Sequence, residues 1–144
     1  MEFLIRAGKV EDSKSIAELS HQLGYPASNE ETIARLQPII SNSDNCVYVA
    51  CHQNVVVGWV HAFYSLRVES ASFVEIGGLV VDAGFRNKGL GRLLVNQVLE
   101  WAKLKGIERI RIRSNVVRTE THRFYQILGF KEIKEQKVLA LDLR

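Results

Sequence analysis

Gly84-Phe85-Arg86-Asn87-Lys88-Gly89-Leu90-Gly91-Arg92 is the stretch around which this chain is organised. It follows a long apolar run, Phe73 to Val81. It opens a segment of helical periodicity in which Leu90, Leu94, Val98 and Trp101 recur with Leu93 and Ala102 beside them. A strand ends, a basic glycine-bearing turn follows, and a helix begins. That arrangement suits an anion. The first N–H groups of a helix have no intrahelical partner, and its N-terminus carries partial positive charge. Gly89 and Gly91 let a ligand approach the backbone closely, and Arg86, Lys88 and Arg92 add full charges. The residues read as a cradle for phosphate or pyrophosphate. The P-loop pattern Gly-x-x-x-x-Gly-Lys-Ser/Thr is absent, and so is the dinucleotide fingerprint Gly-x-Gly-x-x-Gly.

The surrounding chain sets the frame for that turn. Its 144 residues suffice for one core, so a single domain over residues 1–144 is expected. Nearly half the residues are apolar, a quarter are charged, and the net charge is +3. So small an excess of positive charge does not point to nucleic acid. The basic groups cluster as Arg86/Lys88/Arg92 and as Arg109/Arg111/Arg113. The second cluster alternates along an expected strand and reads as a solvated face. Cys46 and Cys51 are separated by an odd number of positions in an expected strand, which puts them on opposite faces and argues against a disulfide. No secretory leader pattern or membrane-length apolar run is present, so a cytoplasmic protein with no membrane partner is expected.

In chain order, Glu2 to Arg6 reads as a strand. Asp12 or Ser13 can cap a helix bearing Ile16, Leu19 and Leu23, which Gly24-Tyr25-Pro26 ends. Ser28-x-x-Glu31 is a capping box for a second helix, which Pro38 should kink or divide. Strands are expected at Cys46 to His52, Val55 to Ser65 and Ala71 to Val81, with Gln53-Asn54 a tight hairpin turn. The last two are apolar on both faces, as in strands covered on both sides. Gly77-Gly78 inside the third marks a bulge or a close backbone approach. A helix from about Lys88 to Lys105 stops at Gly106, and a strand follows from Glu108 to Ser114. A further helix runs from Arg118 to Leu128, and Phe130 to Lys134 with Lys137 to Leu143 forms a final hairpin-like pair. This order predicts an α/β (α+β) fold: a central mixed, mostly antiparallel sheet of six or seven strands, with about four helices on its two faces.

Three kinds of residue could carry chemistry. Glu75 lies between Val74 and Ile76 in the least polar strand, where a carboxylate is costly to desolvate. It reads either as an ion-paired or wet structural group or as a general base whose pKa burial raises. Tyr125 sits in His122-Arg123-Phe124-Tyr125-Gln126-Ile127-Leu128-Gly129-Phe130 and reads either as a helix aromatic packed on the sheet or as a proton donor. His61, flanked by Val60 and Ala62, reads as a core or cleft histidine, with a substrate contact or an alternative base as the other readings. His21, His52 and His122 read as surface groups. No His/Cys/Asp/Glu spacing resembles a metal site, and no Ser/Cys nucleophile motif is present.

Arg86-Asn87-Lys88-Gly89-Leu90-Gly91, preceded by Leu79-Val80-Val81-Asp82-Ala83, resembles motif A of the GNAT N-acetyltransferases: Arg/Gln-x-x-Gly-x-Gly/Ala after a strand Leu-x-Val-x-Pro. The family's proline is Ala83 here. Phe124-Tyr125-x-x-x-Gly129-Phe130 resembles that family's motif B. The resemblance covers nearly the whole chain and is weakest in residues 20 to 45. It implies acetyl-coenzyme A as co-substrate and no metal. It implies that Arg86, Asn87, Lys88, Gly89, Leu90, Gly91 and Arg92 hold the pyrophosphate. Leu79, Val80 and Val81 would offer backbone groups to the pantetheine amide and the acetyl carbonyl. Glu75, eleven positions before Arg86, would be the general base, and Tyr125 the donor to the leaving thiolate. The family's cofactor-contacting asparagine is replaced by Arg118, with Asn115 the alternative contact. The acceptor, a primary amine of a small molecule, is expected on the side of Tyr25, Trp59, His61 and Tyr64. The look of the motifs is nearest to aminoglycoside-6'-type members. A peptide acceptor and a non-catalytic coenzyme A sensor are the alternatives. Alternation along Lys137–Leu143 leaves Leu139, Leu141 and Leu143 on one face in need of cover, either from a helix of the same chain or from a second subunit in a homodimer.

Overall fold

The computed structural model describes residues 2–114 and 119–143, and it divides into two units, Met1–Ile112 and Arg113–Arg144. In the first, strands β1 (Leu4–Ala7), β2 (Asn45–His52), β3 (Val55–Ser65), β4 (Phe73–Val81) and β5 (Ile110–Ile112) lie side by side in chain order. β1 to β4 pair antiparallel, and β5 runs parallel to β4. A hairpin suffices for each antiparallel connection, whereas the parallel pair needs a crossover, which the helix between β4 and β5 supplies. The Gln53–Asn54 hairpin has φ of 50° and 67° at its two residues, the positive pair that matches the twist of its strands.

Helices α1 (Ser13–Gln22) and α2 (Asn29–Ile40) cover one face of the sheet, where Ile16 and Leu36 pack on Val47, Val49 and Cys51 with Trp59 beside them. Helix α3 (Leu90–Leu104) covers the other. A Cβ at Gly58 would lie 3.3 Å and 3.4 Å from the Leu94 and Leu90 side chains, so β3 carries glycine where this helix presses closest. Helices therefore flank both faces. Cys46 and Cys51 are free, and only Cys51 belongs to the α1/α2-side cluster, as opposite faces require.

Helix ends follow sequence closely. Ser28 Oγ accepts from the Glu31 N–H at 3.0 Å, and Glu31 Oε1 accepts from the Ser28 N–H at 2.9 Å. Helices α1 and α3 both close with a left-handed glycine. Tyr25 N–H bonds Ser20 O behind Gly24, and Ile107 N–H bonds Ala102 O behind Gly106. Two expectations need correction. Pro38 lies inside α2 without dividing it: the proline forfeits a single N–H bond two residues before the helix ends at Ile40. Asp12 stands at the start of α1 but makes no side-chain cap there. Its carboxylate instead takes both Arg6 guanidinium nitrogens, each at 2.8 Å, and the Lys9 N–H at 2.9 Å, a stronger charge-assisted set.

In the second unit, α4 (Thr119–Ile127) closes at Gly129 (φ 102°). Phe130 N–H bonds Tyr125 O and Gly129 N–H bonds Gln126 O, both at 3.0 Å, and the Phe130 ring packs edge-on against Tyr125 at 5.5 Å. The Tyr-x-x-x-Gly-Phe pattern is thus a helix stop with its usual apolar clasp. Residues 130–143 contain no strand, so the described sheet has five strands and not six or seven. The two expected segments form no ladder with each other, since a lone hairpin is marginal and the charges at Lys131, Glu132, Lys134, Glu135 and Lys137 give it little apolar face to bury.

Candidate active site

Strand β4 carries Glu75 and Leu79 to Val81 and runs into the basic turn. Its register against β3 pairs His61 with Gly78 and then Ala62 with Ile76, so Gly77 is the extra residue of a bulge. The ladder with β5 runs only from Val74–Ile110 to Ile76–Ile112, while β4 continues to Val81. Among the described residues, the far end of β4 is therefore paired on one edge alone. Asp82 N–H bonds Val57 O of β3 at 2.8 Å. Strand alternation then turns the Val81 N–H and C=O toward the other, open edge. The Val81 carbonyl is met there at 3.4 Å by Nε of Arg86.

The turn after β4 is shaped by backbone conformations that few residues adopt. Asp82 Oδ1 accepts from the Gly84 N–H at 2.9 Å. The Phe85 ring packs against His52 and Phe3, with centroids 5.4 Å and 6.2 Å away, which ties the turn to the sheet. Asn87 has φ 62° and Gly89 has φ 79°. Gly89 is the N-cap of α3, so no side chain caps this helix. A Cβ at Gly89 would find nothing within 4 Å. The opening N–H groups of α3 and its dipole thus face an open space rimmed by exposed Lys88 and Arg92. The Leu90 side chain, 1% exposed, belongs to the core and leaves only its backbone to a ligand.

Alternation sorts the remaining candidates by face. On the α1/α2 side, β3 presents Trp59, His61 and Phe63, and β4 presents Glu75, Gly78 and Val80 in register with them. Glu75 is 8% exposed, directly opposite Phe63 on β3 and Arg111 on β5. His61 Nε2 lies 2.8 Å from Asn45 Oδ1, and burial lowers its pKa from the usual 6.5, favouring the neutral ring. A Cβ at Gly77 would meet His61 Nδ1 at 3.1 Å and Phe63 at 3.2 Å, and one at Gly78 would strike the Trp59 ring at 2.7 Å. The two glycines are what lets these rings lie against the strand. Tyr64 points to the opposite face with Val60 and Ala62, so it does not join Trp59 and His61 as expected; the two-residue period of β3 separates them. Tyr25 is 63% exposed in the α1–α2 connection. Leu79 and Val81 are half-buried and Val80 is buried. In the second unit Tyr125 is 7% exposed, between Phe124 and Phe130. Asn115 and Arg118 lie outside the described residues.

Sequence reasoning missed one feature. Arg111, taken for part of a solvated face, is half-buried with its guanidinium 4.5 Å from the Phe73 ring centroid, and Arg67 lies over the same ring at 5.3 Å. The available signal was an arginine that stands opposite Glu75 and two residues along from buried Phe73, but it requires the β4–β5 register.

A five-stranded mixed sheet flanked by helices on both faces, with a glycine-started helix following β4, defines an α/β fold. Comparison supplies the family. Residues 13–130 match the Acetyltransferase (GNAT) family, and the chain belongs to it. The chain is 33% identical to N-acetylaspartate synthetase of Danio rerio over 97 residues, 67% of this chain and 33% of that protein. It spans about a third of the length of this and the other N-acetylaspartate synthetases it matches. Two solved structures share the fold. AAC(6')-Iy in complex with the bisubstrate analogue CoA-S-monomethyl-acetylneamine has TM-score 0.87 at 20% identity, over 99% of each chain. Glucosamine-6-phosphate N-acetyltransferase of Arabidopsis thaliana has TM-score 0.83 at 23% identity, over 99% of this chain and 100% of that one. No helix among the described residues is long and apolar enough to cross a membrane.

Proposed function

We propose that this protein is an acetyl-CoA-dependent N-acetyltransferase that acts on a primary amine of a small molecule by direct attack. The observation that carries the reading is the one-sided end of β4 running into the uncapped, glycine-started α3, which offers backbone donors first for an acyl chain and then for phosphate. Acetyl-CoA fits this donor set: its phosphates suit the α3 N-terminus with Lys88 and Arg92, and Leu79 to Val81 can hydrogen-bond its amides. When bound, it supplies the thioester carbonyl that accepts the amine.

The chain's own groups do the rest. Glu75 takes a proton from the ammonium, directly or through water, which frees the nitrogen lone pair. The Val81 N–H donates to the carbonyl oxygen as charge develops there. Tyr125 keeps the role implied by the family pattern, donor to the departing thiolate. Direct attack is supported by the state of Cys46. Cys46 is 8% exposed and pairs with Ala62 on the sheet face away from Glu75, and burial pushes its thiol up to about 12. A cytoplasmic location belongs to the same proposal, and cell fractionation tests it. A second copy of the chain covering Leu139, Leu141 and Leu143, each more than four-fifths exposed, belongs to the same proposal, and sedimentation tests it.

The experiment is thiol release from acetyl-CoA against aminoglycosides, polyamines, amino acids and peptides. Glu75→Gln should lower kcat/KM for the amine by about 10²–10⁴ while CoA affinity holds. Loss of CoA affinity would make Glu75 structural. Tight CoA binding with no turnover of any amine would make the protein a sensor, and peptide turnover alone would move the acceptor to protein substrates.

A further inference from the structure

The face that carries Glu75 holds two cations that the transfer step does not use. Phe73, 1% exposed, lies two residues before Glu75 and on the same side of β4. The guanidinium carbons of Arg67 and Arg111 stand 5.3 Å and 4.5 Å from its ring centroid. They are therefore within about 10 Å of one another, a distance at which like charges repel unless something screens them. Among the described residues, the ion pairs join Arg6 to Asp12, Arg35 to Glu31, Lys103 to Glu100 and Lys105 to Asp44, and neither Arg67 nor Arg111 takes part. Both arms are nonetheless held. Nε of Arg67 donates to Ser65 Oγ at 3.0 Å, and Arg111 is seated by the parallel register directly beside Glu75. Stacking on an aromatic face occupies the flat side of a guanidinium and leaves its N–H edge for an oxyanion.

We propose that Arg67 and Arg111 bind an oxyanion carried by the acceptor, so that the substrate is an amine that also bears a carboxylate or phosphate and is not a polycation. This rests on acetyl transfer at Glu75 as proposed above. Two guanidiniums beside the base repel a polyamine, and the described sheet face offers no carboxylate cluster to offset them. An amine with its own anion brings the compensating charge.

The test uses matched pairs on the full chain: aspartate against asparagine, glucosamine-6-phosphate against glucosamine, with spermidine as the polycation. The anionic member of at least one pair should have a kcat/KM about tenfold to a hundredfold above its neutral partner, the range of a charge-assisted hydrogen bond. Which pair responds distinguishes carboxylate from phosphate. Arg67→Gln and Arg111→Gln should each collapse that ratio toward one through KM. Arg67 lies in an exposed connection, so its variant keeps the test readable should Arg111→Gln fold poorly. Preference for spermidine, a ratio that survives both substitutions, or a CoA affinity that falls more than the ratio would each overturn the proposal. Should no amine turn over, calorimetry of the CoA-loaded protein with aspartate and with glucosamine-6-phosphate separates the two readings. Binding lost in the Arg67→Gln variant keeps the anion site and removes the transferase reading, whereas absence of binding removes the anion site.

Discussion

Gly78→Ala probes whether the Trp59 ring is truly seated on the β4 backbone. Gly78 has an ordinary negative-φ backbone, so alanine adds no backbone strain and the effect is steric alone. The new methyl would stand 2.7 Å from Trp59 Cη2 and 2.9 Å from Cζ3. Carbon atoms in contact rest about 3.5–4.0 Å apart. The ring must therefore retreat by close to 1 Å, against the cluster of Ile16, Leu36, Val47, Val49 and Cys51 on which it packs. Overpacking of this kind costs about 1–3 kcal/mol. Urea unfolding followed by tryptophan fluorescence should show that loss as a lower midpoint at unchanged slope. Trp59→Leu removes the obstructing ring at its own cavity cost. Because the two residues touch, the double variant should be more stable than the sum of the single losses predicts, by about 1–2 kcal/mol. A Gly78→Ala protein within about 0.5 kcal/mol of the parent, or strictly additive losses, would refute the claim that the paired glycines exist to admit the ring.

Two further perturbations test the frame and the cradle. Asp12→Ala breaks the bidentate bridge to Arg6 and frees the Lys9 N–H, and should cost about 2–3 kcal/mol in urea, since the carboxylate is buried but the guanidinium is partly wet. The Arg6 bond holds the Asp12 carboxyl below its usual 3.8, so the parent should lose this stability as pH falls from about 3.8 through the lowered folded value, and the variant should lack that step. Gly89→Ala places a side chain at φ 79° with nothing within 4 Å, so the stability loss should be only the left-handed cost of about 1–2 kcal/mol. Its CoA dissociation constant should rise at least about tenfold, because the methyl enters the space the anion needs. Weaker folding with unchanged CoA affinity would remove this turn from the binding site.

The Gly84–Arg92 turn was legible in the sequence because its signals are local. Strand end, glycine, charge and helix start lie within a few residues, and the backbone conformations at Asn87 and Gly89 follow from their side chains or lack of one. The bulge at Gly77 and the hairpin at Gln53–Asn54 were equally local. The class of fold followed from the order of such elements, and the burial of Glu75 from its apolar neighbours. The rest depended on register and on neighbours distant in sequence. Period-two alternation could not say which face of β3 met α1 and α2, so Tyr64 was grouped with rings on the far side of the sheet. Arg111 read as solvated because nothing local shows that β5 lies against β4, one register step from Phe73. Asp12 resembled a helix cap until the fold brought Arg6 within 2.8 Å. The sequence by itself determined the turns, the Ser28 capping box and the glycine-started opening of α3, since each is set by the conformational preferences of adjacent residues. Only the tertiary structure decided which charges stand beside Glu75, because pairing across strands is a choice made by the whole sheet.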